Sequence, residues 1–210
     1  MGHTRWLAFF LTLAMAHVAS ADVVFDWNRV ALDAIRVARV SPPRASRLLA
    51  SVHVAGFDAV NAVRQRYESY PVATEAPRGV DRDVAYAAAA HRVLAAELPA
   101  QATAFDTALE HSLERSGRRR RETSLVWGRE VAHAILGLRA DDGSTIVAPY
   151  TPSGEPGGWM PTPPAFAPAL LPGWRAVMPW CLAQADALRA PGPPTLASDA
   201  PASLLGSGCA

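Results

Sequence analysis

PRASRLLASVHVAGFDAVNAVR (43–64) is apolar on nearly every side. Leu49, Val52, Gly56, Val60 and Val63 recur at helical spacing on one face, and Leu48, Ala55, Phe57 and Ala59 cover much of the rest. Ser41 supplies an N-cap and Pro42 the first helical position. A helix this apolar has to lie inside other helices. The stretch therefore predicts an all-α fold with 43–64 as its central element.

The segments on either side agree with that reading. A helix from about Trp27 to Val40, capped by Asp26, carries a stripe of Trp27, Val30, Ala34 and Val37. After a loop holding Pro71 and Pro77, Asp81 or Asp83 opens a third helix, whose Ala87–Ala90 run allows close helix–helix approach. Pro99 ends it and begins a fourth, with Phe105, Leu109 and Leu113 spaced for a core face and Gly117 as its stop. The fifth runs from about Arg119 to Ala140, with Leu125, Val131, Ile135 and Leu138 inward and Gly143 beyond its end. No segment shows period-2 alternation of strand formers. The expectation is a bundle of about five helices.

A long arm follows. Thirteen of the 18 prolines lie after Ala148, and three of the six tryptophans fall between Trp159 and Trp180. Free linkers are poor in aromatics, so an arm over 149–190 is expected to pack on the helical domain of 22–148. Trp159, Phe166, Trp174 and Trp180 are its candidate anchors, and a solvated polyproline linker is the competing reading. From Pro191 onward small residues and proline predict a disordered tail, 191–210.

The first 21 residues read as a secretory signal peptide. His3 and Arg5 form the n-region, Trp6 to Ala16 the apolar core, and Ala19-Ser20-Ala21 the cleavage site. The apolar run is about half of the roughly 20 residues that span a bilayer, so no stable membrane insertion is expected. The mature chain is expected to begin at Asp22, secreted or periplasmic. Cys181 and Cys209 are the two cysteines, at a spacing that does not specify a bridge.

With a net charge of +1, no overall field selects nucleic acid. All 20 basic residues are arginine, which excludes chemistry that needs lysine. Four histidines follow the signal segment: His53, His91, His111 and His133. No pair has the i, i+4 spacing of a helical zinc site. His53, Asp58 and Asn61 place three polar groups on the most apolar helix, where burial demands hydrogen bonds. A structural network joining helices accounts for them. The Arg118–Arg121 run starts a helix, where the dipole disfavours cations, so a solvated, frayed start is expected. There is no Gly-x-Ser-x-Gly elbow, phosphate-binding loop, dinucleotide fingerprint or paired-cysteine motif. The residues by themselves name no catalytic, cofactor-binding or metal site.

Four stretches taken together do point somewhere: WNRVALDAIRVARVSPPRASRLLASVHVAGFDAVNAV (27–63), AAAAHRVLAAELPAQATAFDTAL (87–109), GREVAHAILGLRADDG (128–143) and PYTPSGEPGGWMPTPPAFAPALLPGWRAVMPW (149–180). In this order they resemble the N-terminal half of bacterial vanadium-dependent haloperoxidase-like proteins, in the type 2 phosphatidic acid phosphatase superfamily. The resemblance implies a site for a tetrahedral oxyanion, vanadate or phosphate, built from a lysine, arginines, a Pro-Ser-Gly-His segment and a later arginine–histidine motif. Cationic donors and backbone amides neutralise such an anion.

None of those motifs transfers to a position of this sequence. It has no lysine and no histidine after His133, and Pro152-Ser153-Gly154-Glu155 puts a repelling carboxylate where the histidine belongs. Leu196–Ala210 departs from the family pattern. The expectation is a chain inactive alone, without its own vanadate, whose partner is a missing catalytic half or a second copy of itself. A secreted helical interaction module is the alternative.

Overall fold

The computed structural model describes residues 22–155 and 158–190. The expected signal peptide and tail, and Cys209, lie outside them. Five α-helices and no strand occur among the described residues: α1 (Val23–Ala38), α2 (Pro42–Asn61), α3 (Arg82–Glu97), α4 (Ala102–Glu114) and α5 (Arg121–Arg139). A 3-10 turn at Pro99–Gln101 leads into α4, and a second, Pro172–Ala176, lies in the arm. The fold is all-α. The chain forms two compact units, one through Gly137 and one from Leu138 onward.

Within the first unit the central element is α3, not α2. Every residue from Val84 to Ala90 is buried, as are Val93 and Leu94. Alanine is only weakly apolar, so the run gives a weaker burial signal than the large side chains of α2 until its neighbours are known. Its small side chains let adjacent helices approach closely instead. Gly128 of α5 meets α3 so closely that a Cβ there would lie 2.3 Å from the Ala85 carbonyl oxygen. Gly56 of α2 lies flat against the Tyr86 ring, whose Cε2 would stand 2.3 Å from an added Cβ. On α2 one side is exposed or half-buried, including Leu49, Phe57 and Val60, and Val63 just beyond its end is half-buried too.

Helix α1 starts earlier than expected. Asp22, not Asp26, caps it by accepting the Val24 N–H at 3.1 Å. Its buried stripe becomes Val23, Trp27, Ala31 and Ala34, while Val37 is 72% exposed. Burying Val23 decides between the two aspartates. Helix α3 is capped by Asp81, which accepts the N–H groups of Asp83 and Val84 at 3.0 and 3.2 Å. Helix α4 ends at Glu114, short of Gly117. Arg121 satisfies the end carbonyls of this region, donating to Leu113 O at 2.6 Å and Ser116 O at 3.2 Å. Arg120 donates to the Arg78 carbonyl. Arg121 is thus a cap for the end of α4 and Arg120 ties down the loop before α3, where a frayed helix start was expected.

Two buried tryptophans tie the bundle crosswise. Trp27 Nε1 donates to Ser112 Oγ at 3.2 Å, joining α1 to α4, and Trp127 Nε1 donates to the Ala59 carbonyl at 3.0 Å, joining α5 to α2. Both satisfy a donor that burial would otherwise leave unpaired.

Glycine substitutions test how tight this packing is. Gly128→Ala drives a methyl into a backbone carbonyl and is expected to cost about 1–3 kcal/mol. Gly137, with open space around its Cβ position, should gain roughly 0.5 kcal/mol as alanine. Urea unfolding of the two variants should shift the midpoint in opposite directions. Equal shifts would mean that α5 does not approach α3 as described.

Candidate functional site

The hydrogen-bond network on α2 is built around His53. Its Nδ1 lies 2.9 Å from the Tyr86 hydroxyl on α3, and its Nε2 lies 3.1 Å from Asn28 Oδ1 on α1. An amide oxygen only accepts, so Nε2 carries the proton and Nδ1 accepts from Tyr86. Burial, and secondarily the Asp22 carboxylate, pushes the Tyr86 phenol up and keeps it a donor. Burial lowers the His53 pKa, so the neutral ring is the native form. The histidine joins three helices, as a structural network should. Both of its nitrogens are committed.

Asp58 and Asn61, further along α2, hold the following loop. Asp58 accepts the Tyr70 N–H at 2.9 Å and the Val72 N–H at 3.1 Å. Desolvation pushes its carboxyl up, and these two donors pull it back down. Asn61 donates to the Tyr67 carbonyl at 2.8 Å and accepts the Tyr67 N–H at 3.1 Å.

With the loop fixed, a cleft of about 440 Å³ opens between α1, α2 and α3. Val24, Phe57 and Val60, with the rings of Tyr67 and Tyr86, make its walls largely apolar. Arg64, Arg66 and Arg82 line it as well, all exposed. Sequence reading passed over these arginines, because nothing in their spacing says that the turn after α2 faces the start of α3.

The other histidines make short-range pairings. His91 Nε2 lies 2.7 Å from Asp106, beneath the edge of Trp27, and His133 accepts from Arg92 at 3.1 Å. His111 lies 3.6 Å from Glu114. No cluster of three or more metal-ligating side chains occurs among the described residues. No described helix is long and apolar enough to cross a membrane.

The second unit is organised by a buried ion pair that sequence reading missed. Arg139 Nε and Asp142 Oδ2 are 2.9 Å apart, both buried. Arg139 also donates to the Met178 and Pro179 carbonyls at 2.6 and 3.3 Å, and its guanidinium carbon lies 4.3 Å from the Trp180 ring centre. Asp142 accepts the Ser144 N–H at 2.9 Å, and its carbonyl accepts from Met178 N–H at 2.9 Å. The arm thus folds back within its own unit onto the end of α5. Gly143, at φ +86, makes the turn, with the Ala176 carbonyl 3.3 Å from where its Cβ would stand. The aromatic anchors divide. Trp174 and Trp180 are half-buried, whereas Trp159 is 45% and Phe166 62% exposed. Trp159 meets Tyr150 edge-on at 5.5 Å. Pro152–Glu155 carries a local turn in which Ser153 Oγ accepts the Glu155 N–H at 3.3 Å.

No family model matches the sequence, and no curated protein matches it. Among solved structures, the chain is similar to a bacterial vanadium-dependent iodoperoxidase, with a TM-score of 0.67 and 23% identity. The likeness covers 85% of this chain and 46% of that one, so this chain spans less than half of that enzyme's length. The chain has a haloperoxidase-like fold.

Two measurements probe these networks. A histidine whose pKa is lowered by folding takes up its proton more readily when unfolded. The His53 contribution is therefore complete above its ordinary value of 6.5 and is lost as pH falls below it. Urea midpoints measured between roughly pH 5 and 7 should fall with acid, and His53→Gln should flatten that slope. An unchanged slope would assign the acid sensitivity elsewhere. In the second unit, Arg139→Met leaves Asp142 buried without its cation, at a cost of about 3–5 kcal/mol. Proteolysis within 149–180 should then accelerate by about two orders of magnitude, with the helical signal of the first unit retained. Unchanged cleavage would show that the pair does not hold the arm.

Proposed function

We propose that these residues are the N-terminal helical half of an exported haloperoxidase- or acid-phosphatase-like protein, and that they carry out no oxyanion chemistry alone. The observation behind this reading is the fold shared with a vanadium-dependent iodoperoxidase over less than half of that enzyme's length. The order of the four sequence stretches that resemble the same family supports it independently.

The residues present do not fit vanadate. The three cleft arginines are exposed rather than enclosed, His53 has both nitrogens committed, and Ser153 accepts from its own turn. A tetrahedral oxyanion needs several buried donors converging on one point. The role left to these helices is scaffolding: a tightly packed α3 column against which other helices can be set. Phe25 and Val37 are exposed apolar side chains of the first unit, and they favour a partner surface. The partner is a catalytic half or, in the second reading, a separately encoded chain bound by a secreted interaction module. A downstream reading frame encoding Pro-Ser-Gly-His distinguishes the first from the second.

Purified protein supplied with vanadate, peroxide and iodide, or with a phosphate ester, should show no turnover above buffer. Turnover that disappears on His53→Gln or on Arg64→Ala would overturn the proposal. For export, N-terminal sequencing of the protein recovered outside the cytoplasm should start at Asp22. A chain starting at Met1 would contradict the signal-peptide reading.

A further inference from the structure

We propose that the cleft between α1, α2 and α3 binds an organic carboxylate, its apolar body against Phe57 and Val60 and its charged head held by Arg64, Arg66 and Arg82. This site is separate from the scaffolding role and does not depend on it. Three features of the cleft select that ligand class.

The first is size. About 440 Å³ lies within the range of small-molecule sites and exceeds what a single ion or water cluster needs. The second is the distribution of polarity. The polar groups at the inner wall are already used: His53 by Tyr86 and Asn28, and Asn61 by the Tyr67 backbone. A sugar or nucleobase entering there would lose water without gaining partners, whereas an alkyl chain or aromatic ring loses nothing. The third is charge. Arg64, Arg66 and Arg82 all line the cleft, and none of their guanidinium groups makes a hydrogen bond or close ion pair among the described residues, although Arg82 also feels the Asp83 carboxylate. The nearby Asp22 carboxylate caps α1, and its charge offsets part of this positive field and leaves a net excess of cations from the three arginines. Guanidinium groups match the planar, bidentate geometry of a carboxylate. Because the three are exposed, the pairing suits one charge at the water boundary rather than a multiply charged ion enclosed by protein.

Isothermal titration of the purified protein with decanoate and with 2-naphthoate tests this, the two probes separating an aliphatic acid from an aromatic one. Saturable binding of either, at one per chain, is expected. Decanol and acetate, which lack the charge and the body respectively, should bind at least tenfold more weakly. The double variant Arg64→Ala/Arg82→Ala alters only exposed side chains and should weaken carboxylate binding about tenfold with helicity unchanged. Val60→Trp, which puts a large ring at the cleft lining, should abolish it, with circular dichroism checking that the helices persist. The proposal is overturned if neither carboxylate saturates, if decanol binds as well as decanoate, or if the arginine variant binds like the parent.

Discussion

The close approach of helices to α3 is the constraint on which the first unit depends. Its alanine run contributes little hydrophobic area per residue, so stability comes from how near the neighbouring backbones lie and how many atoms touch. Gly56 and Gly128 are the counterparts on α2 and α5, each at a point where a methyl group has no room. Larger side chains then close the periphery: Trp27 reaches from α1 to α4, and Trp127 from α5 to α2. A core of this kind has little freedom to adjust. It places the ends of α1, α2 and α3 in a fixed relation, and that relation creates the cleft and the His53 network.

The same rigidity commits the polar groups of α2 to structural bonds. A catalytic base needs a free nitrogen and a pKa near the working pH, whereas His53 is neutral, bonded at both nitrogens and lowered by burial. Asp58 spends its oxygens on two backbone donors that pin the loop after α2. The polar groups of α2 are therefore structural, and the unpaired charge of the region is displaced to the cleft mouth. In the second unit one buried pair, Arg139 with Asp142, serves the corresponding purpose by gathering the arm's carbonyls and Trp180 around the end of α5.

Much of this was legible in the residues. The five helices were readable from apolar spacing and from proline and aspartate punctuation. Phe105 and Leu109 took the core positions their spacing implied. The failures have physical causes. An alanine run is ambiguous because its burial depends on partners that local sequence does not contain, so α2 was ranked above α3. Asp22 and Asp26 are equally good caps, and only the burial of Val23 chooses between them. Arg139 and Asp142 have the i, i+3 spacing of an ordinary surface pair, and nothing local reveals that Met178 to Trp180 return to cover them. The arginines of the cleft come from separate elements and meet only in the fold. The likeness to haloperoxidases was carried by long stretches in a fixed order, which is how a fold is recorded when no single motif is diagnostic.

Native-state hydrogen exchange, resolved to individual amides, tests the central claim that α3 is the column of the first unit. The slowest-exchanging amides should fall within 84–94, with α2 and α5 protected next where they face it and the outer turns of α1 and α4 opening first. Slowest exchange in α2, with α3 exchanging as readily as a surface helix, would contradict the account.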